Sequence, residues 1–231
     1  MWKMLPLKPA LCALLTLLAL APTSTQAQQL KGNVSAVYDL LDRFLPGSRA
    51  HFTLNLLEGD CAHLAPPCYI MSDREGGTIA ISGSSAAELT AALGVYFREY
   101  CNMTIGWPRG GGSRVFMPSA WPVLGGTVAR RRVVPWSYMM NVCTHSYSLV
   151  WYDWDAWQAF IDWMALSGIN HALAMTGQEE VQWKVLRQFG VSDYDIRHWF
   201  NGPAFLTWSR GQNGMRDAFD FLIVCSFSVL I

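Results

Sequence analysis

Apolar residues are spaced in two different ways along the chain. In the first half they recur in short mixed patterns. Val34, Val37, Leu41 and Phe44 form a stripe at helical spacing, closed by Pro46-Gly47, and predict a helix over 34–45. Residues 51–57 alternate, with Phe52, Leu54 and Leu56 on one face, and predict a strand. Two more short strands are predicted at 69–71 and 78–82, around the turn Asp73-Arg74-Glu75-Gly76-Gly77. Ser85 and Glu88 have the spacing of a capping box, which opens a helix reaching about Tyr100 with Leu89, Ala92, Leu93 and Tyr96 facing the core. Weaker strand patterns lie at 103–107 and 114–118. Gly110-Gly111-Gly112 between them reads as a flexible hairpin tip, because it lacks the Lys-Ser/Thr of a phosphate-binding loop. A linker from Trp121-Pro122 to Gly125-Gly126 closes a small α/β domain over residues 30–125.

From Val133 the runs lengthen. Residues 133–142 are almost continuously apolar, as expected of a strand buried on both faces, and Asn141, Cys143 and Thr144 close it. Asp153 or Asp155 then starts a helix in which Trp154, Trp157, Ile161 and Met164 recur at helical spacing, stopped by Gly168. Residues 169–175 predict a second buried strand, Thr176-Gly177-Gln178 a strand-to-helix loop, and 179–189 a helix ended by Gly190. Ser192 and Asp195 resemble a further capping box, opening a helix to about Phe200. Strand, helix, strand, helix is the βα repeat and implies a parallel sheet; two repeats alone do not separate a barrel from an open doubly wound sheet. In either architecture function sits at the carboxyl ends of the strands, here 141–144 and 176–179.

Composition narrows the function. The chain of 231 residues is 52% hydrophobic and 15% charged, enough for a packed core and against disorder. Its net charge is zero and its one run of three like charges is Arg130-Arg131-Arg132, so nothing here suggests a nucleic-acid binder. Eleven tryptophans are chiefly core material, although sugar clefts also use aromatic platforms. Lys3, Lys8, the apolar run 10–21 and Thr25-Gln26-Ala27 have the form of a cleaved secretory signal over 1–27; as a membrane anchor the run is too short. In that setting Asn33-Val34-Ser35 and Asn102-Met103-Thr104 are glycosylation sequons at Asn33 and Asn102. Cys61 and Cys68 flank Pro66-Pro67 and can close a small loop, and no cysteine spacing forms a metal signature.

Candidate chemistry concentrates at the two strand ends. No Gly-x-Gly-x-x-Gly follows the first long strand and no Gly-x-Ser-x-Gly elbow is present, so neither a dinucleotide cofactor nor a hydrolase serine is supported. His51 and His63 read as ordinary surface or edge histidines. Cys143 and His145 would share one face of a strand, but adjacency does not make a nucleophile pair. Gln178 and Glu179 are sharper: an amide beside a carboxylate can hold sugar hydroxyls. The competing role for Glu179 is a helix-start carboxylate, and Glu180 fits that role better.

At these residues the chain resembles a known family. The stretch NVCTHSYSLVWYDWDAWQAFIDWMALSGINHALAMTGQE is similar to the lysosomal alpha-N-acetylglucosaminidase family. The similarity continues through VQWKVLRQFGV to FNGPAFLTWSR, and more weakly over the small N-terminal domain, about residues 30–212 in all. The resemblance implies a small α/β domain, then a TIM-type barrel beginning over 133–212, and a retaining hydrolase that removes terminal alpha-linked N-acetylglucosamine from heparan sulfate in the lysosome. It implies no cofactor and no metal, and leaves room for a homo-oligomer. It assigns Asn141, Cys143, Gln178 and Glu179 to holding the sugar ring, with Tyr147 and Trp208 as weaker candidates. A retaining mechanism needs two carboxyl groups about 5 Å apart, and the family carries both on later barrel strands. After Trp208-Ser209-Arg210 the sequence leaves the family's pattern for GMRDAFDFLIVCSFSVLI, a divergent tail over 213–231. The expectation is therefore a truncated, inactive form with the first βα units of an incomplete (β/α)8 barrel. The alternative is a non-catalytic secreted fragment that binds a sugar or a full-length subunit.

Overall fold

The computed structural model describes residues 31–174, 176–199 and 204–205. The signal over 1–27, Trp208 and the tail over 213–231 lie outside the described residues. Helix α1 (Val34–Phe44) is capped by Asn33, whose Oδ1 accepts the Ser35 N–H at 2.9 Å, and it buries Val37, Leu40 and Leu41. That spacing puts all three on one helical face. Strands β1 (Phe52–Leu56), β2 (Cys68–Asp73), β3 (Ile79–Gly83) and β4 (Val128–Arg131) form a sheet in the order β1-β3-β2-β4. β1 runs parallel to β3, and β2 is antiparallel to both β3 and β4. The register aligns Leu54, Ile81, Met71 and Val128 in one row. Alternation turns that row and the row of Phe52 and Ile79 onto one face. There they pack with α1 and with helix α2 (Ala86–Val95) as a single core. Cys61 and Cys68 are disulfide-bonded, closing the loop before β2.

Several expectations change at this level. α2 gives way after Val95 to a π-helical turn, Tyr96–Tyr100, with Tyr96 and Phe97 fully buried. The capping box is half made: Ser85 Oγ accepts the Glu88 N–H at 3.4 Å, but the Glu88 carboxylate turns away to Arg132. The weak strands at 103–107 and 114–118 shrink to one bridge between Thr104 and Arg114. His51 is not a surface residue; its ring stacks on Trp121 at 4.1 Å and it is buried. Tyr96 anchors the same linker by donating to the Pro122 carbonyl at 2.6 Å.

The second segment holds β5 (Tyr138–Met139), helix α3 (Trp154–Leu166), β6 (His171–Ala172) and the helices α4 (Gln178–Gln188) and α5 (Asp193–Trp199). β5 and β6 pair in parallel, Tyr138 with His171 and Met139 with Ala172, so the βα repeat is real. The strand expected over 133–142, buried on both faces, is much shorter. Pro135 cannot donate to a ladder, Met140 takes φ +136 and ends the extended run, and β6 is its one pairing strand among the described residues. Val133 is consequently fully exposed, and Val134 and Tyr138 are exposed too. A buried amide substitutes for missing ladder bonds: Asn170 Oδ1 accepts from Ser137 N at 2.7 Å, and its Nδ2 donates to the Pro135 carbonyl at 2.9 Å. α3 starts at Asp153, whose carboxylate accepts the Ala156 N–H at 2.9 Å, and buries Phe160, Met164, Ala165 and Leu166, while Trp154 faces solvent. Ser192 and Asp195 do form the expected cap of α5, linked by two hydrogen bonds at 2.5 and 3.1 Å.

The two segments are joined where α2 meets the carboxyl end of α3. Gly94 permits the contact, since a Cβ there would lie 1.8 Å from the Leu166 carbonyl oxygen. The terminal carbonyls of a helix lack intrahelical donors and carry the negative end of its dipole. Arginines supply both needs: Arg98 donates to the Leu166 carbonyl at 2.7 Å and Arg132 to that of Gly168 at 2.5 Å. Arg132 also pairs with Glu88, which is 1% exposed, and Arg43 forms a bidentate pair with Asp162 at 2.7 and 2.9 Å.

Two stability predictions follow from this junction. Gly94→Ala forces the helices apart and lowers stability by about 1–3 kcal/mol or more in urea denaturation. Arg132→Met strands the buried Glu88 carboxylate and costs about 3–5 kcal/mol. Adding Glu88→Leu to Arg132→Met recovers part of that loss in a double-mutant cycle; strictly additive losses would show that the pair is not coupled.

Candidate functional site

At the carboxyl ends of β5 and β6 a cavity of about 120 Å³ opens. Its walls come from the 3-10 turn Val142–Ser146, the loop that follows it, Trp157 on α3, and residues 176–179 at the start of α4. That volume is below the roughly 300–1,000 Å³ of a typical small-molecule pocket, so it has room for only part of a small molecule.

The first wall is a turn rather than a strand. Asn141 caps it: its Oδ1 accepts the Cys143 N–H at 2.7 Å, and its carbonyl accepts the Thr144 hydroxyl at 2.6 Å. With three residues per turn, positions two apart no longer share a face. This removes the geometric basis for pairing Cys143 with His145. Cys143 stays half-exposed, whereas His145 turns inward and is buried. Its Nδ1 lies 3.1 Å from Thr176 Oγ1, and its ring stacks on Trp157 with centroids 6.1 Å apart. Burial holds the His145 pKa below the usual imidazole value, against weaker upward effects of the Leu173 backbone and Glu179.

The second wall turns on Gly177, which takes φ +85 at the start of α4, a conformation that glycine adopts without a Cβ clash. Gln178 and Glu179 follow immediately and both line the cavity. Glu180 points away and pairs with Lys184 at 3.0 Å on the surface. The two carboxylates of the first turn are thus divided, one to the cavity and one to solvent.

The aromatic wall draws on the N-terminal segment. Tyr152 meets Trp157 edge-to-face at 5.7 Å, accepts a hydrogen bond from Trp107 Nε1 at 3.3 Å, and lies under the Arg109 guanidinium at 4.5 Å. The glycine-rich hairpin therefore braces the site through the residues beside its tip.

Of the residues singled out from the sequence, Gln178 and Glu179 meet at the cavity. Asn141 and Cys143 lie on the adjoining turn and do not line it. Tyr147 is exposed, with its ring 5.6 Å from that of Phe205. His145, Ser146, Thr176, Tyr152 and Trp157 line the cavity without having been assigned to it. The sequence signal was present for Thr176, which lies inside the second polar strand end, while His145 lies one residue past the first, over 141–144. None existed for Trp157, whose spacing reads equally well as core.

Comparison with known proteins bears on both segments of the chain. Residues 35–123 match the alpha-N-acetylglucosaminidase (NAGLU) N-terminal domain, and residues 137–220 match the NAGLU tim-barrel domain. The chain is 34% identical to alpha-N-acetylglucosaminidase of Homo sapiens over 205 residues, 88% of this chain and 27% of that protein. Among solved structures, a family 89 glycoside hydrolase from Clostridium perfringens in complex with PUGNAc is similar with a TM-score of 0.68 and 28% identity, over 76% of this chain and 19% of that one. CpGH89 of the same bacterium, with two glutamate-to-glutamine substitutions and in complex with its substrate GlcNAc-alpha-1,4-galactose, gives a TM-score of 0.69 and 29% identity over the same shares. The chain spans about a quarter of the length of its human relative. With a small α/β domain followed by the first βα units of a TIM-type barrel, and with both family domains matched, the chain belongs to the alpha-N-acetylglucosaminidase family of glycoside hydrolases.

Proposed function

We propose that this chain carries one wall of the sugar site of an alpha-N-acetylglucosaminidase acting on terminal alpha-linked N-acetylglucosamine of heparan sulfate. The observation that carries this reading is the cavity at the strand ends, which Gln178 and Glu179 line together with Trp157 and Tyr152. Sugar rings offer hydroxyls on their edges and apolar C–H faces, and this wall supplies a partner for each. Retaining hydrolysis needs two carboxyl groups about 5 Å apart. Glu179 is the one carboxylate lining this cavity among the described residues. The role proposed for the described residues is therefore to hold the sugar, not to cut it. Asn33 and Asn102 are both exposed, which supports their use as glycosylation sites on a secretory route to the lysosome. The Asn33 cap uses Oδ1, so its Nδ2 stays available to carry a glycan.

Titrating the full chain with N-acetylglucosamine is expected to perturb the amide resonances of Gly177 and Gln178. Gln178→Ala is expected to weaken binding about three- to tenfold, the worth of one or two neutral hydrogen bonds. A chromogenic alpha-N-acetylglucosaminide is expected to show no turnover above background. Saturating sugar with no perturbation at residues 176–179 would remove the binding role, and turnover would show that this chain holds the cutting carboxylates after all.

A further inference from the structure

One buried side chain connects the two loops of the cavity. His145 belongs to the turn after β5, and Thr176 belongs to the loop after β6, immediately before Gly177 and Gln178. Their contact, Nδ1 to Oγ1 at 3.1 Å, spans the cavity wall from one loop to the other. The imidazole is held on its face by Trp157. Its Nε2 is buried and makes no well-aligned hydrogen bond, and the Leu173 backbone acts on the ring.

Building on the sugar-holding reading of this cavity, we propose that His145 is a positioning residue: its ring holds the 176–178 loop in register with the first loop and sets the direction of the Thr176 hydroxyl proton. A neutral ring protonated at Nε2 has a bare Nδ1, which accepts the Thr176 hydroxyl proton and leaves Oγ1 as an acceptor toward the cavity. An imidazolium donates from both nitrogens. Nδ1–H then points at Oγ1, the threonine proton must swing away, and the cavity meets a donor in place of an acceptor. No covalent bond changes; one proton is gained from solvent. Protonation thus rewrites the polarity of one point on the wall next to Gln178.

The charged group acting on the ring is Glu179 of α4, and Trp157 of α3 presents an uncharged face. Burial outweighs the Leu173 backbone and Glu179 and holds the imidazole's pKa below its usual value. The sign follows: a lowered folded-state pKa makes the ring's contribution to stability complete above its unfolded value, about 6.5, and progressively lost as pH falls below that value through the folded one.

The test uses the full chain as wild type, His145→Ala and His145→Gln, with two readouts. The first needs no sugar: hydrogen exchange at the Gly177 and Gln178 amides is expected to accelerate at least tenfold in His145→Ala. It is expected to recover in His145→Gln, whose amide can still reach Thr176. The second is N-acetylglucosamine affinity across a pH series. It is expected to change with pH below the ordinary histidine range in wild type, to be flat in His145→Gln, and to be weakened at every pH in His145→Ala. Unchanged exchange in His145→Ala, or a wild-type pH profile in His145→Gln, overturns the proposal. If the exchange behaves as expected while no variant binds the sugar, the loop-holding role of His145 stands and the sugar-holding reading fails. If the sugar binds but exchange is unchanged, His145 alone is refuted.

Discussion

The fold depends on the buried pair of Glu88 and Arg132. A carboxylate 1% exposed on a helix pressed against a sheet is costly unless a cation meets it there. Arg132 leaves β4 to do so, and its guanidinium also reaches the Gly168 carbonyl at the end of α3. One side chain thereby ties a sheet edge, the central helix of the first segment and the first helix of the second. Arg98 and Arg43 repeat the device on Leu166 and Asp162. Leu166 is buried where α2 and α3 meet, so its carbonyl takes a donor from the protein, and arginine supplies several from one planar group.

The site inherits its geometry from this junction. Anchoring the end of α3 fixes where the chain can re-enter β6, and it fixes the face on which Trp157 stands. The strands themselves contribute little, since they pair over two residues each. Asn170 extends their reach by bonding Ser137 and Pro135 with its side chain. The loops after the strands are then held by capping and by cross-contacts: Asn141 on Cys143, His145 on Thr176, and Gly177 at the turn into α4.

Local order was legible in the sequence by itself. The helix expected over 34–45, the alternating strands, the Ser85 cap, a carboxylate cap at Asp153 or Asp155, the βα repeat and the polar strand ends all rest on contacts within a few residues, which spacing records. The family was legible for the same reason, in the run from Asn141 to Glu179. Gln178 and Glu179 could be singled out because a strand-to-helix turn places them together whatever else surrounds them. Only the tertiary structure decided the rest. Whether Glu88 closes a cap or meets Arg132 depends on a residue 44 positions away. Whether His51 is a surface residue depends on Trp121 stacking over it. The apolar run over 133–142 reads as a buried strand, yet Val133 stands in solvent because burial needs a neighbour on each face and a run of side chains cannot provide its own. His145 shows the same limit at the site. Its polarity and position were visible, but its partner Thr176 lies 31 residues on, brought to it only when the second strand pairs with the first.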